Sequence, residues 1–150
     1  MGAREVHLLL IEDNPSDVRL FQEASADMNT DYKLHVASNG AQALDILFQR
    51  GKYKDLPRPD LIVLDLNLPI LSGHEVLNAI KAHHELSLIP VIVFSVAQEP
   101  SEIRKAYDLG ASCYVIKPKE YDEFERVFGC FSDFWLKRVS FPPRALTNAQ

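Results

Sequence analysis

The sequence predicts an α/β protein, with a doubly wound five-stranded parallel sheet flanked by five helices. Short apolar runs of strand length alternate along the 150 residues with segments in which apolar residues recur at helical spacing. Three of the runs, at 6–11, 60–65 and 91–96, are almost continuously apolar, as strands covered on both faces are. Strict alternation of strand and helix indicates a parallel sheet with helices on both faces.

In the first half of the chain, the strand at 6–11 leads into a helix that begins at Pro15, because proline suits the first helical position. A short alternating strand follows at 33–37 and ends at an Asn-Gly turn signal. Apolar residues then recur at helical spacing as far as Gly51. The next strand, at 60–65, follows a proline, which completes two strand–helix units and starts a third.

In the second half, a Ser-Gly pair precedes a helix at 75–84, and a proline precedes the strand at 91–96. A further helix begins at a Pro-Ser-Glu sequence and ends at Gly110, a residue common at helix C-termini. The fifth strand is predicted at 112–116. A long helix at 121–139 completes the pattern.

Composition and charge narrow the class of protein. The chain is 47% hydrophobic and 25% charged, with a net charge of −5, which is typical of a soluble globular domain and argues against a nucleic-acid partner. It has no signal peptide and no apolar run of membrane-spanning length, so we expect a cytoplasmic protein without a membrane association. Cys113 and Cys130 have no metal-site spacing and are expected to be reduced thiols. We expect one domain at 5–140 and a C-terminal tail at 141–150, which is loose from Arg144 onward.

Polar side chains stand where the predicted strands end. Glu12 and Asp13 follow the first strand, Asp65 ends the third, Ser95 lies in the fourth, and Lys117 follows the fifth. The carboxyl ends of parallel strands share one edge of a sheet, so these side chains are expected to meet there. Clustered carboxylates repel each other unless a metal ion or a lysine neutralises them, and oxygen ligands suit Mg²⁺. The acids would repel a bare phosphate, so a phosphoryl group is expected to arrive together with the metal ion.

These motifs resemble the receiver domain of two-component response regulators, the CheY-like family. The resemblance rests on the Glu12-Asp13 pair, Asp65 in LIVLDLNLPILSG, Ser95 in VIVFSVA and Lys117 in CYVIKP. It covers residues 5–139, and five motifs occur in the family's order. It implies the strand order 2-1-3-4-5 and phosphoryl transfer as the chemistry.

By this resemblance, Asp65 is the phosphoacceptor. Asp13 and Asp65, with the backbone carbonyl of Asn67, would bind Mg²⁺, and Glu12 would act through a bound water. The phosphoryl donor would be a histidine kinase, and the protein would catalyse only its own phosphorylation and dephosphorylation.

The resemblance also assigns the side chains that would respond to the phosphoryl group. Ser95 would donate a hydrogen bond to the phosphoryl group, Lys117 would neutralise it, and Tyr114 would change rotamer in response. The peptide bond between Lys117 and Pro118 is cis in such domains. Val96 departs from the pattern, because the family usually has a small residue there and a β-branched one narrows access to the phosphoryl pocket.

The apolar residues of the last predicted helix indicate a surface for a protein partner. Its apolar residues cover a wider arc than one core-facing stripe needs, which favours an exposed patch and a homodimer. The candidate interface residues are Phe124, Phe128, Phe131 and Trp135. The sequences FWLKR and FPP further resemble the small response regulators of cyanobacterial phytochromes, which implies a stand-alone receiver that signals through protein contacts and a light-regulated histidine kinase.

Two other classes stay open. A phosphohydrolase of the haloacid dehalogenase type would also form an aspartyl phosphate, but it needs a second aspartate where this chain has Asn67. A pseudo-receiver would act as an unphosphorylated docking module, although the complete set of acids and lysine argues against it.

Overall fold

A computed structural model describes residues 5–26 and 32–144. Within these ranges one sheet contains five parallel strands in the order β2-β1-β3-β4-β5. The strands are β1 (Val6–Ile11), β2 (Tyr32–Ala37), β3 (Leu61–Leu64), β4 (Val91–Ser95) and β5 (Cys113–Ile116). The predicted fold class and strand order are confirmed.

In the described part of the chain, five α-helices connect or follow the strands: α1 (Pro15–Ala26), α2 (Gly40–Leu47), α3 (Gly73–Ala82), α4 (Pro100–Asp108) and α5 (Tyr121–Phe131). Helix α3 begins two residues before the predicted start. Ser72 is its N-cap, and the Ser72 and Glu75 side chains accept hydrogen bonds from each other's backbone N–H groups.

The core has two layers because the sheet is covered by helices on both faces, as the interior strand β1 shows. Leu9 and Ile11 of β1 face the layer that contains α2 and α3, whereas Leu8 and Leu10 face the layer that contains α1 and α5. All four side chains are buried. This double burial explains why β1 reads as a continuous apolar run instead of an alternating one.

The C-terminal helix differs from the prediction. Helix α5 ends at Phe131, and a π-helical turn at Ser132–Leu136 replaces its expected continuation to residue 139. Phe124 and Phe128, predicted as exposed interface residues, are 5% and 3% exposed and belong to the core beside α1. Phe128 packs edge-to-face on Phe21, with ring centroids 4.8 Å apart, and Phe124 packs on Phe94, with ring centroids 5.8 Å apart.

The remaining aromatic residues of this region are only partly covered. Phe131 and Trp135 are half-buried against the same core layer, and Phe134 is 57% exposed. The apolar surface that a partner could contact therefore lies at the end of α5 and in the π-helical turn.

The tail is ordered as far as it is described. Phe141 packs against the core layer of α1 and α5, and the Arg144 guanidinium pairs with the buried Asp60 carboxylate at 2.6 Å. The expectation of a loose tail is therefore wrong at Arg144, because a buried carboxylate binds it. The rest of the predicted tail, 145–150, lies outside the described residues.

In the described part of the chain, no helix is both long enough and apolar enough to cross a membrane. Cys113 and Cys130 are free thiols.

Candidate functional site

The loop after β1 places acidic side chains at the carboxyl edge of the sheet. The Glu12 N–H donates to the Ala37 carbonyl at 2.9 Å, which extends the pairing with β2 by one residue. The Glu12 carboxylate accepts the Asn14 N–H at 3.2 Å, and the Asn14 side chain accepts the N–H groups of Ser16 and Asp17 at 2.8 and 3.3 Å. Asn14 thus caps α1, and Asp17 is held in its first turn.

Asp65 follows β3 and is 6% exposed. Its N–H donates to the Ile11 carbonyl at 3.0 Å, so the two strand ends lie side by side, and its carboxylate accepts the Asn67 N–H at 3.2 Å. Gly73 packs directly beneath this loop. A Cβ atom on Gly73 would lie 2.5 Å from both the Asp65 carbonyl oxygen and Leu66 Cα, so this position requires glycine.

Lys117 brings the strand ends together. Its N–H donates to the Ser95 carbonyl at 2.8 Å, which extends the pairing of β5 with β4. Its buried Nζ lies 2.6 Å from Glu12 Oε1, 2.9 Å from Asp17 Oδ2 and 3.3 Å from Asp65 Oδ2. The ammonium from the end of β5 is therefore shared by Glu12 and Asp65, from the ends of β1 and β3, and by Asp17 of α1.

The electrostatics of the site show an excess of negative charge. Burial raises the pKa of Glu12 to about 7, and the charge of Asp65 adds to this effect while the hydrogen bond from Lys117 opposes it. Burial acts to lower the pKa of Lys117, but its hydrogen bonds to Glu12 and Asp17 outweigh burial, so the pKa is raised. The site contains four carboxylates, those of Glu12, Asp13, Asp17 and Asp65, and one ammonium, so its formal charge is negative.

A cation fits this site. Carboxylate oxygens of Glu12, Asp13 and Asp65 lie within 4.8 Å of one another, and Asp13 is exposed to solvent. The donor set contains only oxygen, which suits a hard divalent ion that keeps several of its waters. Asn67 is exposed beside Asp65, and its predicted role as a carbonyl ligand stays a prediction.

The predicted switch residues meet at the loop after β4. Ser95 is fully buried, and its Oγ accepts the Ala97 N–H at 3.3 Å. The Tyr114 hydroxyl donates to the Ala97 carbonyl at 2.8 Å, so both side chains hold the same loop residue. Val96 is 57% exposed, and its predicted effect on access to the phosphoryl pocket stays a prediction. The bond between Lys117 and Pro118 is trans, contrary to the implied cis form.

Asp17 was not singled out from the sequence, although it is one of the three carboxylates on Lys117. The sequence signal for Asp17 was its spacing from Pro15. Pro15 at the first helical position makes Asp17 the third residue of α1, on the turn closest to the acidic loop. An acid in a first helical turn is common for reasons of helix stability alone, so the spacing did not distinguish it.

The fold and the site define a class. Residues 8–128 match the family model described as the response regulator receiver domain, and the chain belongs to this family. It is a signalling protein of two-component systems.

Among its relatives, response regulator Rcp1 of Synechocystis sp. is 36% identical over 135 residues, which cover 90% of this chain and 92% of Rcp1. The crystal structure of the phosphorylated cyanobacterial phytochrome response regulator RcpA is similar, with a TM-score of 0.89 and 36% identity over 93% of this chain and 100% of that chain. The Mn²⁺-bound form of Rcp1 has a TM-score of 0.88 and 36% identity over 92% of this chain and 99% of its own. This chain is thus similar to a response regulator of a cyanobacterial phytochrome.

Proposed function

We propose that this response regulator accepts a phosphoryl group on Asp65 from the phosphohistidine of a histidine kinase, in a Mg²⁺-dependent reaction. The observation that carries the proposal is the juxtaposition of a buried carboxylate with a carboxylate cluster and an ammonium. Lys117 Nζ lies 3.3 Å from Asp65 Oδ2, and Glu12, Asp13 and Asp65 offer ligand oxygens within 4.8 Å of one another.

The chemistry follows from these groups. A carboxylate oxygen of Asp65 attacks phosphorus, a new O–P bond forms, and the P–N bond of phosphohistidine breaks with its electron pair left on the imidazole nitrogen. Charge spreads over the equatorial oxygens in the transition state, and Lys117 stabilises it from inside the sheet edge. Glu12, Asp13, Asp65 and the Asn67 carbonyl would hold Mg²⁺, which when bound supplies charge neutralisation at those oxygens.

The signal would leave the site through the loop after β4. A phosphoryl group adds about −1.5 to −2 charges and new acceptor oxygens beside Ser95. If the Ser95 side chain changes rotamer to donate to it, Oγ moves away from the Ala97 N–H, which loses its acceptor. The Tyr114 hydroxyl binds the carbonyl of the same residue, so the loop and this aromatic ring would move together.

Similarity to Rcp1 and RcpA supports a phytochrome-type histidine kinase as the donor. The net charge of −5 supports a protein partner and not a nucleic acid. We propose a cytoplasmic homodimer that uses the partly exposed aromatics at the end of α5, which are Phe131, Phe134 and Trp135.

The test is labelling with acetyl phosphate and Mg²⁺, followed by intact-mass measurement. We expect one phosphoryl group per chain, no adduct on Asp65→Asn, and a large loss of Mg²⁺ affinity for Asp13→Ala by calorimetry. Labelling of Asp65→Asn would contradict the proposal. Repeated turnover of a phosphate ester would favour the phosphohydrolase, and failure of transfer even from a cognate kinase would favour the docking module.

A further inference from the structure

We propose that Asp17 is a positioning residue that holds the Lys117 ammonium toward α1 and thereby slows phosphorylation of Asp65. This inference rests on the proposed function. It concerns a residue that none of the predicted site roles includes.

The first step is the geometry of the ammonium. Lys117 Nζ is closer to Glu12 and Asp17, at 2.6 and 2.9 Å, than to Asp65, at 3.3 Å. An ammonium has three N–H donors, and here three carboxylates use them. A phosphoryl oxygen on Asp65 can receive one of these donors only if a carboxylate gives it up.

The second step identifies which carboxylate competes. Glu12 and Asp65 belong to the cluster whose oxygens lie together with those of Asp13, so a bound cation offsets their charge. Asp17 is not part of that cluster. Its charge continues to attract Lys117 when the cation is bound, and it opposes movement of Nζ toward the phosphoryl group.

The third step concerns how firmly Asp17 is held. Its backbone is fixed in the first turn of α1 by the Asn14 cap, while its side chain is 31% exposed and that of Lys117 is 9% exposed. Solvent screens a partly exposed pair, so the restraint is moderate. We therefore expect a change in rate and not an all-or-none effect.

The test compares Asp17→Asn with the wild-type protein in initial rates of labelling by acetyl phosphate at saturating Mg²⁺. We expect the variant to react faster by about five-fold, the scale of one partly screened charge pair, and the difference to shrink at high salt. Mg²⁺ affinity measured by calorimetry should fall modestly, because one nearby negative charge is lost. Structural damage would lower both quantities.

Asp17→Glu keeps the charge and should restore a rate near that of the wild type. Asp122→Asn is the matched control, since it removes an acid from the first turn of α5, and it should leave the rate unchanged. If Asp17→Asn folds poorly by circular dichroism, Asp17→Ser gives the same comparison.

An unchanged or lower rate for an Asp17→Asn protein that is folded by circular dichroism, or an equal rise for Asp122→Asn, would overturn the role of Asp17. That failure is separate from failure of the proposed function, which would appear as absence of wild-type labelling or as labelling of Asp65→Asn.

Discussion

The Arg144 guanidinium binds the Asp60 carboxylate at 2.6 Å, on the strand-start side of the sheet and away from the candidate site. Asp60 directly precedes β3, its side chain is 2% exposed, and it also accepts the His7 N–H at 2.9 Å. The ion pair therefore joins the segment that follows the last helix to the start of a central strand. It shows that residues after the predicted domain end contribute to the fold.

We expect Arg144→Gln to lower the free energy of unfolding by about 1–3 kcal/mol, because a buried carboxylate loses a charged hydrogen-bond donor. Urea unfolding would measure this. Arg138→Gln, at an exposed arginine of the same region, should change stability by less than about 0.5 kcal/mol. Equal effects of the two substitutions would mean that the ion pair adds no stability.

Two glycines should respond in opposite directions to alanine. At Gly129, within α5, an added Cβ meets nothing within 4 Å, so Gly129→Ala should raise stability by about 0.5–1 kcal/mol through helix propensity. At Gly73 an added Cβ would lie 2.5 Å from the Asp65 carbonyl oxygen. Gly73→Ala should therefore destabilise the fold and reduce labelling of Asp65 by acetyl phosphate.

Thermal or urea unfolding measures the stability of both variants, and the labelling assay measures the reactivity of Asp65. A Gly73→Ala protein that is as stable and as reactive as the wild type would contradict the close approach of α3 to the Asp65 loop.

The His7–His35 pair should make stability fall as the solution becomes more acidic, whereas Glu12, whose pKa burial raises to about 7, acts in the opposite direction. His7 Nδ1 and His35 Nε2 lie 3.1 Å apart, and burial lowers the pKa of both rings below 6.5, with Arg144 adding to the effect at His7 and Lys33 acting on both. The unfolded chain then binds more protons than the folded one near and below pH 6.5. The neutral histidine pair therefore makes its full contribution to the free energy of unfolding above that pH, and this contribution is lost as the pH falls.

Urea unfolding of the wild type and of His35→Gln at about pH 7.5 and about pH 5.5 measures the contribution of the histidine pair as the difference between the two proteins. His35→Gln should make the loss smaller. His84→Gln should not, because that side chain is 89% exposed. An identical pH dependence in His35→Gln and the wild type would show that the histidine pair is not its source.

The proposed dimer predicts different effects for substitution of an exposed and of a buried aromatic residue. Phe134 is 57% exposed, so Phe134→Ser should shift sedimentation toward the monomer with little change in the free energy of unfolding. Phe128 is 3% exposed, so Phe128→Ser should lower that free energy by about 3–5 kcal/mol. A Phe134→Ser protein that sediments as the wild type does would remove this surface from the interface.

Periodicity and the residues at strand ends were enough to predict the sheet, its helices and the meeting of Glu12, Asp65 and Lys117. Those predictions succeed because parallel topology places strand ends on one edge wherever the strands stand in the chain. The predictions for α5 were partly wrong. A helical arc shows which residues are apolar, but only the packing of Phe128 on Phe21 decides which of them are buried.

The sequence by itself determined the fold class and the chemistry of the strand ends, because hydrophobic period and residue type are local properties. Only the tertiary structure decided that Asp17 shares Lys117, 100 residues away, and that Arg144 binds Asp60, 84 residues away. Such pairs depend on distances of a few ångströms between distant segments. A local sequence pattern does not encode those distances, because an acid or an arginine that forms such a pair has the same local sequence features as one that does not.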